Sequence, residues 1–439
     1  MSLYGTGRKE GIAAVCLIGI LTAVAHLLAA LRFEELGFAG LGESAYVTIT
    51  TGSLGGMLTY RFLRAQGRSR YAAFLGGIAY GMSPLFAGLI DSPREQIAAA
   101  LVPLGLEAAA QLDRPTTMRR WLPWAGLCLA LPFAVGVTVV ATLATTLALA
   151  MIALTAMRCG RGDDRLPLRQ TGTSLLLGTV ALSNLIWLAP LHAWLGSGNA
   201  TEVQSVLSGE TTPMVIVRVV GPFLVWFALL GILRRQRNVM TSFWLVLALV
   251  GAAPTAMLAI PGVSASLPNV FTAWAVPAMS WWLSVLAITV MGTAGLDDWL
   301  DQPQRRRGAH LWLLVLTLFV APALPLAGAS INPVHLATVL GTFGVLATVT
   351  LGWRRLGVLR FKNILSGVAL IAFAMPVILQ SQAPAAFGAP MGESAPRSVE
   401  RAIELLMTHP WWHFAGIVGA VLIAGLIATV QVVRHKRAH

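Results

Sequence analysis

Runs of about 20 apolar residues recur along this chain, and short groups of Arg and Lys separate them in pairs. A run of that length spans the hydrocarbon core of a bilayer as a helix. The basic groups lie at 8–9, 61–70, 114–120, 158–169, 234–237, 305–307, 354–362 and 434–437, and they hold 26 of the 31 basic residues. Each interval between groups is long enough for two crossings and too long for one. Inside a bilayer no water satisfies backbone groups, so only helices or a closed barrel can span it. Continuous apolar runs point to helices, because barrel strands alternate. The expected fold is an all-α polytopic integral membrane protein.

Starting inside, spans are expected near 11–31, 44–63, 71–90, 96–112, 121–137, 139–157, 171–191, 213–233, 239–259, 273–294, 310–329, 333–352, 363–381 and 412–433. That makes about fourteen transmembrane helices in a single transmembrane domain over 1–439, with both termini cytoplasmic. All eight basic groups then face the cytoplasm, as the excess of Lys and Arg in cytoplasmic loops requires. The cytoplasmic (inner) membrane is the expected location. The first apolar run exceeds the 7–15 residues usual for a signal-peptide core, so it reads as a retained span.

Composition agrees: 56% of the residues are hydrophobic and 11% charged, against about 25% charged in soluble proteins. The net charge of +13 comes from the cytoplasmic groups and implies no nucleic-acid partner; the lipid bilayer is the partner. Cys16, Cys128 and Cys159 show neither ligand spacing nor paired spacing and read as small hydrophobes.

Ten of the 18 acidic residues fall outside on this topology. Among them Glu34, Glu35 and Glu43 flank the first outer loop, 32–43. A carboxylate at the outer interface can serve as a general base toward a hydroxyl acceptor. Glu34 and Glu35 are also candidate ligands for a divalent cation, magnesium or manganese. A second outer turn reads Asp91-Ser92-Pro93-Arg94-Glu95-Gln96. Pro93 and a Ser92 or Asp91 cap suit a helix start. Such a start favours anions, and Arg94 adds a fork that suits phosphate. His26, Asn184 and His192 lie near outer span ends and are candidates to line a cavity with Asp91, Arg94 and Glu95. Outer loops 192–212 and 382–411 are the other two of some length; the second contains an amphipathic segment at 398–406. Glu107 and Arg218 fall within spans, where charge is costly unless paired or wet.

The stretch Leu58-Thr59-Tyr60-Arg61-Phe62-Leu63-Arg64 is followed by Tyr71-Ala72-Ala73-Phe74-Leu75-Gly76-Gly77-Ile78-Ala79-Tyr80-Gly81-Met82-Ser83-Pro84. An outer turn and a span with Val102-Pro103-Leu104 come next. This pattern resembles the membrane region of the GT-C glycosyltransferase superfamily, close to arabinofuranosyltransferase-like and YfhO-like bacterial membrane proteins. Ser183-Asn184-Leu185-Ile186-Trp187-Leu188-Ala189-Pro190 is similar too. The resemblance covers 1–210, which implies a GT-C-like helix arrangement there and a further helical half over 211–439.

It implies sugar transfer from a polyprenyl-phosphate donor to a glycan acceptor at the outer face, in cell-envelope glycan assembly. It places the catalytic carboxylate at Glu34 or Glu35. The chain departs from the family in its short first outer loop and in carrying Glu where Asp is usual. Two alternatives follow from these departures and from the span count. One is a transporter or lipid flippase; the other is a non-catalytic membrane subunit that works with a membrane-protein partner.

Overall fold

The computed structural model describes residues 3–35, 42–83, 86, 93–112, 222–232, 243–249, 277–301, 341–346 and 358–380. The described residues are helical, apart from turns at 66–69 and 82–83. The helices are α1 (Leu3–Glu35), α2 (Gly42–Ala65), α3 (Arg70–Gly81), α4 (Pro93–Leu112), α5 (Pro222–Ile232), α6 (Pro277–Asp301) and α7 (Val358–Gln380). Short helical stretches also occupy 243–249 and 341–346. Among the described residues two segments are long and apolar enough to cross a membrane: Gly11–Leu28 in α1 and Trp282–Leu300 in α6. The expected spans near 121–137, 139–157, 171–191, 310–329 and 412–433 lie outside the described residues.

The chain divides into two compact units. One comprises Met1–Gln96 with Ala200–Ala389, the other Ile97–Asn199 with Pro390–His439. In the second unit the described residues are 97–112, where Ala98, Ala99, Ala100, Val102, Leu106 and Glu107 are buried.

In the first unit α2 lies against both α1 and α3, and α3 also touches α6, α7 and α1. Helix α5 packs along α6 and meets α7. Small residues set these approaches. A Cβ on Gly56 would lie 2.8 Å from the Gly77 carbonyl oxygen, and one on Gly77 would lie 2.8 Å from that of Gly56. Gly52 and Gly81 repeat the arrangement one turn away, at 2.9 and 2.8 Å. Four glycines, spaced by four on each helix, thus bring two backbones into contact, as small residues do between membrane helices. Gly292 and Gly295 of α6 play the same part against the Leu224 and Phe227 carbonyls of α5.

Around α5 the filling is aromatic. Phe223 meets Phe373 edge-on at 5.4 Å, Trp226 meets Phe343 at 5.0 Å, and Phe227 meets Trp299 at 6.3 Å. On α1 one stripe is buried, through Ile18, Thr22, Ala25 and His26. The opposite stripe, with Ile12, Leu17, Ile20, Val24 and Leu28, is exposed and wholly apolar. An apolar face of this kind suits hydrocarbon rather than water.

The turn between α2 and α3 is built from local chemistry. Gly67, at φ +83°, takes the left-handed conformation that ends many helices. Its N–H donates to Arg64 O at 3.0 Å, and the Arg68 N–H donates to Leu63 O at 3.1 Å. Ser69 then caps α3, its Oγ accepting from the Ala72 N–H at 3.2 Å. Of the span expected over 71–90, residues 84–85 and 87–90 lie outside the described residues; α3 itself stops at Gly81, about 18 Å from its start at 1.5 Å per residue. The reason is the Ser83-Pro84 pair: a proline disfavours helical geometry in the residue before it. The last turn tightens, with Met82 N–H donating to Ile78 O at 2.8 Å and Ser83 N–H to Tyr80 O at 3.0 Å.

Candidate functional site

Chain direction sorts the polar residues of the first unit toward two ends. At one end lie the turn 66–69, Asp297 of α6 and Lys362 of α7. The Ser69 N–H donates to Asp297 Oδ2 at 2.9 Å, and Ser69 Oγ–H donates to Asp297 Oδ1. The Tyr71 hydroxyl donates to Lys362 O at 2.9 Å and sits 3.0 Å from Ser366 Oγ. The Lys362 ammonium lies over the Tyr71 ring, 5.6 Å from its centre.

At the other end, α1 finishes at Glu35, α2 starts at Gly42 and α3 finishes at Gly81. The start of α4 joins them. Gln96, in its first turn and fully buried, donates from Nε2 to Thr48 Oγ1 at 2.9 Å and to Phe86 O at 2.5 Å. Gln96 Oε1 is buried and has no hydrogen-bond partner among the described residues. An acceptor left so costs about 1–3 kcal/mol, and it marks a position where a donor would be welcome.

His26 belongs to this end. Its Nε2 is 2.8 Å from the Gly81 carbonyl oxygen. A carbonyl can only accept, so the Nε2–H donates and satisfies one of the orphan acceptors at the end of α3. The Phe86 ring meets the imidazole edge-on at 6.5 Å and the Tyr80 ring at 5.7 Å. Gly52 makes the contact feasible, since a Cβ there would lie 2.8 Å from His26 Cδ2. Thr51 and Ser53 donate to carbonyls one turn back on their own helix, at 2.6 and 2.7 Å. These two hydroxyls of α2 are therefore compatible with an apolar surround.

The sequence candidates fall as follows. His26 is in the buried network, where it links α1 to α3. Glu34 and Glu35 are the last two residues of α1, eight or nine positions beyond His26, about 12–14 Å along the axis. Glu43 is the second residue of α2, and Arg94 and Glu95 directly precede Gln96 in α4. The side chains of Glu34, Glu35, Glu43, Arg94 and Glu95 lie outside the described residues, as do Asp91, Asn184 and His192 altogether. Among the described residues no three His, Cys, Asp or Glu side chains converge as metal ligands.

Two members of the network escaped the sequence reading. Gln96 was visible only as the end of a charged turn, and Thr48 as one hydroxyl among several on an amphipathic span. A lone amide followed by the small residues Ala98, Ala99 and Ala100 was the available signal, since a buried amide on a close-packed face needs a partner.

The two neighbouring carboxylates of α1 have a geometric consequence. The helix continues through Glu35, and successive helix positions lie about 100° apart around the axis. Neighbouring positions do not share a face, so positions 34 and 35 suit two different tasks better than joint chelation of one ion. Compared with known proteins, the chain matches no protein-family model, no curated protein and no solved structure.

Proposed function

We propose that this chain is a GT-C-like membrane glycosyltransferase that takes a sugar from a polyprenyl-phosphate donor at the outer face of the cytoplasmic membrane. Its helices cross the bilayer about fourteen times, with both termini and the basic groups inside. One carboxylate, Glu34 or Glu35, accepts the proton of an acceptor hydroxyl. That oxygen then attacks the anomeric carbon of the sugar while the bond to the phosphate oxygen breaks. Polyprenyl phosphate leaves with the bonding pair, and Arg94 with the start of α4 receives its charge. Glu43 and Glu95 border the same end, and Gln96 Oε1 offers an acceptor to a ligand hydroxyl. The separate helix positions of Glu34 and Glu35 do not favour a shared magnesium or manganese ion.

The observation that carries the reading is the meeting of helix ends. The Gln96–Thr48 hydrogen bond joins the start of α4 to α2, and His26 joins α1 to the end of α3. On this reading Glu34, Glu35, Glu43, Arg94 and Glu95 border that end, away from the turn 66–69. The test is reconstitution of the purified chain with radiolabelled polyprenyl-phosphate pentoses and hexoses and a glycan acceptor. Transfer of label to the acceptor is expected.

One observation favours the second reading, a non-catalytic subunit. His26, Thr48 and the Gln96 amide nitrogen are engaged in holding helices together. In that case the chain alone transfers nothing, and a catalytic membrane protein copurifies with it. Substrate counterflow without transfer would point instead to a transporter.

A further inference from the structure

Ser69 and Asp297 are 228 positions apart in the chain, yet one carboxylate takes both the N–H and the hydroxyl proton of one serine. Ser69 is exposed and Asp297 half-buried. The carboxylate also stands at the N-terminus of α3, where the helix dipole favours negative charge. Beneath this contact the seam between α3 and α6 is unlike the rest of the core. Gly76 of α3 faces the methyl groups of Thr289 and Thr293, together with Leu63 of α2. Both threonine hydroxyls donate to carbonyls of their own helix, Val285 O and Val290 O. The threonine hydroxyls of this seam can turn to water that enters it. The other side of α6 is different: aromatic rings and glycine-to-backbone contact hold it to α5. Helix α7 has its own tie to α3 through Tyr71, Lys362 and Ser366.

We propose that the Asp297–Ser69 contact is a releasable clasp that keeps the α3–α6 seam shut at the end of the unit carrying the basic turn. Release lets the Asp297 end of α6 part from α3, while Tyr71 ties α7 to α3 and the Phe223–Phe373 contact keeps α5 against α7. Local opening of this kind is drawn from contacts that are few, exposed and polar. The device goes beyond the catalytic reading, since it lies at the opposite end from the proposed site and holds whether or not the chain transfers sugar.

The clasp is tested by cysteine labelling in a background with Cys16, Cys128 and Cys159 replaced by Ala. Thr293 is fully buried in the seam and Leu224 is fully buried on the α5 side, so Thr293→Cys and Leu224→Cys report on the two sides separately. In detergent-solubilised full-length protein, Asp297→Asn should raise the maleimide labelling rate at position 293 at least tenfold and leave position 224 unlabelled. Ser69→Ala, which keeps the backbone N–H bond, should raise it less, and Ser69→Thr should restore the original rate. Rates at 293 within twofold of the parent in both Asp297→Asn and Ser69→Ala would overturn the proposal. Equal rises at 293 and 224 would overturn it too, because they report general unfolding rather than a local seam.

Discussion

Replacing Glu34 and Glu35 together by Gln is expected to lower sugar transfer by about 10²–10⁴-fold, with no change in the yield of folded protein. The substitution keeps side-chain length and hydrogen-bonding capacity and removes only the ability to take a proton. The single variants should be unequal. Because α1 is helical through Glu35, the two positions present themselves to different directions, and only one can approach a given hydroxyl. One single variant should therefore reproduce most of the loss, and the other should keep most of the activity. Loss of kcat with KM little changed is the expected pattern for a group that acts in the transition state. Full activity in the double variant would remove these carboxylates from the mechanism and leave Glu43 as the remaining outer candidate.

The largest effect on folding is expected at the glycine crossings. Gly77→Leu would drive a branched side chain into the Gly56 carbonyl, Ile18 and Tyr60, all within 3.2 Å of a first added carbon. Movement of Ile18 cannot relieve the clash, because the nearest obstacle is the Gly56 backbone carbonyl. The variant should give no monodisperse peak in fluorescence-detected size exclusion after detergent extraction. Gly77→Ala should be milder, costing about 1–3 kcal/mol as overpacking does, and Gly295→Ala, whose Cβ would fall much closer to the Phe227 carbonyl, should cost more. Gly367 of α7 is the control. A Cβ there meets nothing within 4 Å, so Gly367→Ala should leave the melting temperature unchanged or raise it, through a gain of about 0.4–1 kcal/mol. An unchanged melting temperature in Gly77→Leu would show that α2 and α3 do not approach as described.

Local features of these helices could be read from the chain, and long-range ones could not. The apolar run expected over 44–63 is helix Gly42–Ala65, since apolar length, a Gly67 stop and a Ser69 start are all local signals. The helical class of the described residues follows from the same signals. The end of α3 at Gly81 is also written in the Ser83-Pro84 pair that follows it. The glycine pairs at 52 and 56 and at 77 and 81 are visible as spacings. Their meaning depends on the partner helix, which spacing alone does not name. Ser69 and Asp297 could not be paired from sequence, because hydrophobic periodicity carries no information on contacts 228 residues apart. Gln96 and Thr48 illustrate the same limit for the site: each residue type is ordinary, and only their meeting makes them a buried link.

The proposed orientation of the first unit puts the acidic helix ends outside and the basic turn inside. Tyr46 is 72% exposed near the start of α2, and Gln66 follows its end. They are 20 residues apart, about 30 Å along a helix, which equals the thickness of a bilayer core. Tyr46→Cys and Gln66→Cys, each in the cysteine-free background, can be treated with a membrane-impermeant maleimide in sealed right-side-out vesicles. The account predicts labelling at 46 at once and at 66 only after the vesicles are opened. Labelling of 66 in sealed vesicles, alone or together with 46, would contradict it.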